Sequence, residues 1–234
     1  MKVLGVIPAR GGSKGVKDKN ITLVDGQPLI SYTINSARES TLLTRAIVTT
    51  DSPRIAEISQ SFEGTVIMRP AELAQDDTPI IPVIKHALEV SQEQYGEHYD
   101  MVVLLQPTAP IRHGTDIDNA LNILIEHADC DAVISVVPMQ DIHPARMYHV
   151  DNDLKMQALN PQLEATRRQD IEPVYYRNGA IYAIRTEVLL EKNSLMVSKK
   201  MAYIMPLERL VNIDDERDLH IANVLVKLWK DGRI

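Results

Sequence analysis

The chain contains very little cysteine and few aromatic residues. Among its 234 residues there are one cysteine, one phenylalanine and one tryptophan. A single cysteine, Cys130, excludes an intrachain disulfide framework and a cysteine-rich metal site. The shortage of aromatic rings argues against a stacking platform for single-stranded nucleic acid. The seven histidines show no zinc-binding spacing and no G-x-S-x-G motif is present, so zinc chemistry and nucleophilic hydrolysis have little support.

Long apolar runs and an excess of positive charge are also absent. No run approaches the ~20 apolar residues needed to span a bilayer, and the N-terminus has no signal-peptide pattern. We therefore expect a cytoplasmic protein without a membrane partner. The formal net charge is −7, which argues against a nucleic-acid partner because nucleic-acid-binding surfaces are basic. A small molecule is the expected ligand.

A glycine-rich loop near the N-terminus is the first candidate site. The β-branched apolar run at residues 3–7 predicts a buried parallel strand, and it leads into residues 9–15, ARGGSKG. Such a loop brings backbone N–H groups close to a ligand, and Arg10 and Lys14 add positive charge, which suits a polyphosphate. A solvated surface turn is the alternative. The residue order fits neither G-x-x-x-x-G-K-[ST] nor G-x-G-x-x-G, which disfavours a P-loop ATPase and a dinucleotide-binding enzyme.

Apolar runs and helical patterns then alternate along the chain. Strands are predicted at residues 46–50, 65–68, 101–105 and 132–137. Helical patterns begin at Pro28, after a cap and first-turn proline within residues 51–53, before Ile81, and after a Thr115 cap. This alternation predicts a single domain, residues 1–234, with a three-layer α/β fold and a mostly parallel, doubly wound sheet. The alternation is lost at residues 138–177, and a segment of this kind more often forms a lid or an oligomerisation arm than a disordered loop.

Polar segments follow several of the predicted elements. Residues 106–112, QPTAPIR, come after the most apolar strand, and open α/β sheets bind ligands beyond the carboxyl ends of their strands. The two prolines could also simply end that strand. Residues 69–74, RPAELA, favour a capped connection between elements. Asp214 or Asp215 is a suitable helix N-cap, and Asn178 is a suitable turn residue.

Nearly the whole chain resembles the acylneuraminate cytidylyltransferases, enzymes that couple a nonulosonic acid to CTP. The resemblance rests first on residues 7–15 followed by Lys19 and Asn20. Further motifs of the family are matched by residues 69–74, 106–112, 178–182 and 212–219. The resemblance implies a Rossmann-like nucleotidyltransferase fold, with CTP and an acidic nine-carbon sugar as substrates.

The resemblance also implies roles for individual side chains. The nucleotide-binding set is Ala9, Arg10, Gly11, Gly12, Ser13, Lys14, Lys19, Asn20 and Arg69. The sugar-binding set is Gln106, Arg112, Arg146, Arg168 and Asn178, with Arg168 at the sugar carboxylate. The catalytic set is Arg10, Lys14, Gln106 and Asp214.

A divalent cation, Mg²⁺ or Mn²⁺, is implied at residues 212–214. The family pattern there is usually D-I-D, whose carboxylates hold the metal against the triphosphate, whereas this chain has Asn212. An amide oxygen can ligate a hard cation but brings no charge. Asp214 is therefore the firmer of the two predicted ligands, and the metal should bind weakly without nucleotide.

In the family the irregular segment crosses to a second subunit and closes over the acidic sugar. The resemblance therefore implies a homodimer, with residues 138–177 as the dimerisation and lid segment. We expect a metal-dependent cytidylyltransferase that activates a nonulosonic acid. Two alternatives stay open: another sugar nucleotidyltransferase, such as one for 3-deoxy-manno-octulosonate, and a catalytically silent nucleotide-binding module, which Asn212 favours.

Overall fold

The computed structural model of the protein describes residues 1–12, 15–139 and 141–234. Within these ranges there are eleven strands: β1 (Val3–Pro8), β2 (Leu23–Val24), β3 (Gln27–Pro28), β4 (Arg45–Thr50), β5 (Thr65–Met68), β6 (Met101–Leu104), β7 (Ala132–Met139), β8 (Tyr148–Val150), β9 (Met156–Ala158), β10 (Val174–Arg185) and β11 (Lys200–Ile204). The same ranges contain six α-helices: α1 (Leu29–Glu39), α2 (Pro53–Ser61), α3 (Ile80–Tyr95), α4 (Gly114–Glu126), α5 (Thr186–Lys192) and α6 (Glu216–Lys230).

Seven of the strands form one central sheet. Its order is β11-β7-β10-β6-β1-β4-β5. Strand β10 runs antiparallel to both of its neighbours, β6 and β7, and every other neighbouring pair in this sheet is parallel. The predicted mostly parallel α/β sheet is confirmed.

The core lies on both faces of this sheet. Along β1, Val3 and Ile7 pack into one apolar cluster, which also takes residues from α1, α2 and α4. Leu4 and Val6 pack into the other cluster, with residues from α3 and α5. Because successive side chains of a strand point to opposite faces, this alternation buries β1 on both sides. The three-layer, doubly wound arrangement predicted from the sequence follows from it.

Two helix starts show how local sequence sets the element boundaries. Helix α2 begins at Pro53, and the side chain of Ser52 accepts a hydrogen bond from the Ile55 N–H, as predicted. The prediction that Thr115 caps α4 is wrong, since the helix begins at Gly114. The Asp116 carboxylate accepts a hydrogen bond from the His113 N–H at 2.7 Å, which moves the start towards the N-terminus.

The segment between β7 and β10 contains the short antiparallel pair β8–β9 and leaves many apolar side chains exposed. Strand β7 continues to Met139, beyond its predicted end at residue 137, and β10 begins at Val174, so both strands run into this segment. The cause is cross-strand pairing, because residues 174–177 of β10 pair with residues 136–139 of β7. No helix in the described ranges is both long and apolar enough to cross a membrane.

Candidate active site

A cavity of about 430 Å³ lies beyond the carboxyl ends of β1, β5 and β6. This is where an open α/β sheet is expected to bind its ligand. Six of the side chains that the sequence singled out line it, namely Arg10, Lys19, Asn20, Arg69, Gln106 and Asp214. They come from four distant parts of the chain, so the fold brings them together.

The glycine-rich loop lines part of this cavity, and hydrogen bonds to residues outside the loop fix its backbone. The Gly11 N–H donates to an Asp51 carboxylate oxygen at 3.0 Å. The side-chain amide of Asn20 donates to the Arg10 carbonyl at 3.0 Å, and the buried Ala9 donates its N–H to the Thr49 carbonyl. Gly12 has φ +67°, a left-handed conformation that favours glycine. The predicted phosphate ligands Ser13 and Lys14 lie outside the described residues.

Gly15 fixes the distance between this loop and the C-terminal part of the site. A Cβ atom on Gly15 would lie 2.0 Å from the Asp214 carbonyl oxygen, well inside any van der Waals contact. Only glycine allows the loop to approach Asp214 so closely.

Asp214 projects into the cavity with 69% of its side chain exposed. The Lys19 ammonium lies 3.2 Å from its Oδ1 and also donates to the Ile213 carbonyl at 2.8 Å. The neighbouring Asp215 is the N-cap of α6 and accepts from the Asp218 N–H. Asp214 is therefore not needed as the cap, and its carboxylate is available for chemistry.

The two predicted metal ligands, Asn212 and Asp214, are hydrogen-bonded to each other. The Asn212 Nδ2 donates to Asp214 Oδ2 at 2.8 Å, so the amide nitrogen faces the carboxylate. The Asn212 Oδ1 is buried and has no hydrogen-bond partner among the described residues. Those residues also contain no cluster of three or more His, Cys, Asp or Glu side chains that could hold a metal ion. The donor set fits a cation that takes one carboxylate from the protein and its remaining oxygens from substrate and water.

Arg69 and Arg10 supply positive charge from two sides of the cavity. Arg69 is buried, and its Nε has no partner in the described part of the chain. Burial lowers the pKa of Arg69, an effect that the Arg10 charge reinforces and the Asp51 charge opposes. Arg10 forms an ion pair with Asp76, which also lines the cavity. A buried, incompletely satisfied guanidinium is suited to binding a ligand, because a buried donor without a partner is costly.

A second cavity of about 410 Å³ adjoins the first, and Gln106 lines both. Its other lining residues are Tyr175, Tyr176, Arg177, Asn178, Gly179, Tyr182 and Asn212. Gly179 has φ +76°, and a Cβ atom there would lie 3.0 Å from Gln106 Oε1. Gln106 is therefore placed to contact ligands on both sides.

The comparison with known families decides the class of this protein. A family model described as Cytidylyltransferase matches residues 4–227. The chain belongs to the cytidylyltransferase family.

Individual members of the cytidylyltransferase family match along most of the chain. The chain is 34% identical over 227 residues to the N-acylneuraminate cytidylyltransferase of Escherichia coli O18:K1:H7, a match covering 94% of this chain and 51% of that protein. It is 31% identical over 242 residues to the CMP-N,N'-diacetyllegionaminic acid synthase of Legionella pneumophila, covering 100% of both. The chain thus spans about half the length of the first relative and the full length of the second.

A solved structure shows the same fold. CMP:2-keto-3-deoxy-manno-octonic acid synthetase complexed with CTP superposes with a TM-score of 0.73 at 19% identity, covering 98% of this chain and 100% of that chain. At this identity the likeness establishes the shared cytidylyltransferase fold.

Arg112 lies in the core, outside the lining of the first and second cavities. It is 0% exposed, and its guanidinium donates to the carbonyl oxygens of Gln106, Ala109 and Ala180 and to the hydroxyls of Thr33 and Ser36. Burial lowers its pKa to about 9, and Asp116 opposes the shift. The Arg112 donors are used inside the protein in this structure, and its predicted role in sugar binding stays a prediction. It joins the 106–112 segment to α1 and β10.

Asn178 is likewise occupied by internal contacts. Its Oδ1 accepts from the Ser135 hydroxyl at 2.6 Å, and its Nδ2 points to the sulfur of Met205. The residue is 3% exposed. These contacts fix the part of β10 that leads into Gly179, and the predicted sugar contact of Asn178 stays a prediction.

The two remaining arginines of the predicted sugar set lie away from the first cavity. Arg168 lines a third cavity of about 540 Å³ and lies 2.9 Å from an Asp141 carboxylate oxygen. This cavity shares Tyr175 with the second one. Arg146 is exposed on a short 3-10 turn, outside the lining of all three cavities. Four of the predicted nucleotide residues, Arg10, Lys19, Asn20 and Arg69, converge on the first cavity, whereas the predicted sugar residues are spread out.

Several lining residues were not identified from the sequence. Gln75, Asp76 and Thr78 line the first cavity, and Tyr182 lines the second. Residues 75–78 directly follow the RPAELA segment, and this proximity was the one available signal. Because Asp76 is far from Arg10 in the sequence, their ion pair could not be predicted from local motifs.

Proposed function

We propose that this chain transfers the cytidylyl group of CTP to a nonulosonic acid and releases pyrophosphate. The observation that supports this most is the convergence of Arg10, Lys19, Arg69 and Asp214 around one cavity, in a chain of the cytidylyltransferase family. The named relatives are enzymes of nonulosonic acids. A cytoplasmic location, expected from the sequence, remains part of this proposal.

In the proposed reaction the chain acts by positioning and by charge. The anomeric hydroxyl oxygen of the sugar acid attacks the α-phosphorus of CTP. The bond between this phosphorus and the oxygen that bridges to the β-phosphate breaks, pyrophosphate leaves with that oxygen, and the hydroxyl proton passes to solvent. Such a transfer needs no covalent nucleophile on the protein. Arg10 and Lys19 neutralise the phosphate oxygens, while Arg69 offers its donor fork to the nucleotide. Lys14 stays a predicted phosphate ligand.

Gln106 links the nucleotide and the acceptor in this proposal. It lines both the first and the second cavity, so its amide can orient the sugar acid relative to the α-phosphate. Arg112 contributes indirectly, because its guanidinium holds the Gln106 carbonyl at 3.2 Å. The sugar then occupies the second cavity, between Gln106 and the tyrosines of β10.

Asp214 would hold a divalent cation, Mg²⁺ or Mn²⁺, beside the phosphates. Such a cation supplies charge neutralisation of the triphosphate when bound. Asn212 supports Asp214 through its amide hydrogen bond, and its direct ligation of the cation stays a prediction.

Pyrophosphate release tests this proposal. The enzyme is mixed with CTP, Mg²⁺ and one of four acceptors: N-acetylneuraminic, legionaminic, pseudaminic or 3-deoxy-manno-octulosonic acid. We expect release with at least one nine-carbon acid, and little with ATP, GTP or UTP in place of CTP. Release only with the eight-carbon acid would assign the chain to the other sugar class. Binding of CTP without release from any acceptor would support a silent nucleotide-binding module.

Substitution of Arg168 tests its predicted contact with the carboxylate of the sugar acid. Arg168→Ala is expected to raise the KM for the sugar acid by about tenfold or more, with a much smaller change for CTP, because a guanidinium–carboxylate contact is lost. Initial rates with one substrate varied at saturation of the other measure both constants. Arg167→Ala, which removes an exposed arginine paired with Asp170, is the matched control. An equal increase for CTP would place Arg168 outside the sugar site.

A homodimer is proposed through the segment at residues 138–177. This segment exposes apolar side chains such as Val150, Met156 and Tyr176, and an exposed patch of this kind is typical of a protein–protein contact. Met147 and Tyr175 are also exposed, whereas Ile171 is half-buried.

Light scattering coupled to size exclusion should therefore give a mass near twice the 26.3 kDa of the chain. Met156→Asp is expected to reduce the dimer fraction, because it places a charge in the contact. Val224→Asp alters an exposed apolar residue on α6 and should leave the mass unchanged. A monomeric mass for the unaltered chain at micromolar concentration would refute the dimer.

A further inference from the structure

An ion pair crosses the first cavity between Arg10 and Asp76. Arg10 belongs to the glycine-rich loop after β1, and Asp76 belongs to the segment between the 3-10 turn Ala71–Leu73 and α3. Both residues line the cavity. The pair therefore joins two separate segments of the cavity lining, at the place where the phosphates of a nucleotide are proposed to bind.

Asp76 balances positive charge in this cavity. The charged lining residues in the described part of the chain are Arg10, Lys19 and Arg69 against Asp76 and Asp214. Asp214 lies 3.2 Å from Lys19, and Asp76 pairs with Arg10. Each carboxylate thus lies beside one of the cations that the proposed function assigns to phosphate.

A carboxylate and a phosphate compete for the same guanidinium. Both are oxyanions that Arg binds through its N–H donors, and a donor given to Asp76 is not available to a phosphate oxygen. A bound phosphate near Arg10 would also be repelled by the Asp76 charge, and this repulsion is stronger in a partly buried site than in water. Asp76 must therefore weaken the binding of polyphosphates.

We propose that Asp76 is an affinity-setting residue that competes with CTP and with pyrophosphate for Arg10. Before nucleotide binds, the pair keeps the Arg10 side chain over the cavity. After the reaction, Asp76 forms its ion pair with Arg10 again, and this promotes the release of pyrophosphate. The part that concerns CTP rests on the proposed function, whereas the part that concerns pyrophosphate needs only an anion site at Arg10.

The turn that carries Asp76 has its own hydrogen bonds. The Gln75 side chain donates to the Ala71 carbonyl at 2.6 Å, and the Thr78 hydroxyl donates to the Glu72 carbonyl at 3.2 Å. Asp76→Asn keeps the shape of the side chain, removes its charge and replaces one acceptor oxygen by an N–H donor. The variant is therefore expected to fold, with a thermal midpoint close to that of the unaltered chain.

Calorimetric titration with inorganic pyrophosphate, without divalent cation, measures the effect directly. Asp76→Asn is expected to lower the pyrophosphate Kd by about tenfold, and the CTP Kd in the same direction, since removal of one nearby negative charge favours anion binding. The matched control is Asp77→Asn, at an exposed neighbour outside the cavity lining, and it should change neither constant. In steady-state assays, pyrophosphate should become a stronger product inhibitor of Asp76→Asn.

A double-mutant cycle with Arg10→Ala tests whether Asp76 acts through Arg10. Most of the increase in pyrophosphate affinity caused by Asp76→Asn should disappear when Arg10→Ala is also present. Three results would each overturn the proposal: weaker pyrophosphate binding by Asp76→Asn, an unchanged Kd, or an equal gain with and without Arg10. If pyrophosphate behaves as expected but CTP does not bind, the anion competition stands and the proposed function is wrong.

Discussion

Asp214→Asn is expected to lower the rate of pyrophosphate release at least about a hundredfold, since a preorganised charge at a reacting phosphate is worth this much or more. The substitution keeps the size of the side chain and removes the carboxylate beside Lys19. Rates at saturating CTP and sugar, measured over a range of Mg²⁺ concentrations, provide the test. A variant that keeps its rate and its metal dependence would show that Asp214 only supports the local structure.

Two neighbouring substitutions separate charge from structure in this experiment. Asp215→Asn alters the N-cap of α6 and should retain activity, because Asn caps helices about as well as Asp. Asn212→Asp would place a second carboxylate opposite Asp214, where the amide now donates at 2.8 Å. We expect tighter Mn²⁺ binding in its complex with CTP, measured by electron paramagnetic resonance of free Mn²⁺. Unchanged affinity would place residue 212 outside the coordination sphere.

Arg112→Ala is expected to lower the free energy of unfolding by about 3–5 kcal/mol, a range typical of breaking a buried charged contact. The change leaves the carbonyl oxygens of Gln106, Ala109 and Ala180 without the donor that they share, and it opens a cavity in the core. Urea unfolding followed by circular dichroism at 25 °C measures the loss.

The matched control for Arg112 is Arg38, which is exposed on α1 and paired with an exposed Glu63. Arg38→Ala should change stability by less than about 1 kcal/mol, because exposed ion pairs contribute little. A loss below about 1 kcal/mol in Arg112→Ala would mean that the guanidinium is not needed to satisfy these carbonyls. Arg112→Lys should fall between the two, since an ammonium cannot reach all the acceptors of a guanidinium.

The sequence predicts most of the central sheet because its strands are short, β-branched and buried. Strands β1, β4, β5, β6 and β7 each coincide with an apolar run bounded by polar residues or proline. The antiparallel insertion of β10 between β6 and β7 could not be predicted in this way. Periodicity shows that a strand exists, but partners and direction depend on packing between distant segments.

The same limit explains which site residues could be predicted. Arg10 and Asp214 belong to short motifs, so their chemistry is visible locally. The burial of Arg112 depends on acceptors from α1 and β10 as well as from its own segment. Arg112 looks like any ligand-binding arginine until those elements are in place. The Arg10–Asp76 pair likewise joins residues that are distant in the chain.

The position of β10 also constrains the order in which the chain folds during synthesis. Strands β1, β4, β5 and β6 all precede residue 105, and they pair in parallel with one another. The free side of β6 then has no neighbour until residues 174–185 leave the ribosome, and domains emerging N-terminus first are exposed in this form for several seconds at ordinary elongation rates. The Ala180 carbonyl, one acceptor of Arg112, arrives with the same strand. The nascent chain therefore carries an open sheet edge and an incompletely bonded internal arginine at the same time, which makes this interval the one in which it most needs protection from aggregation.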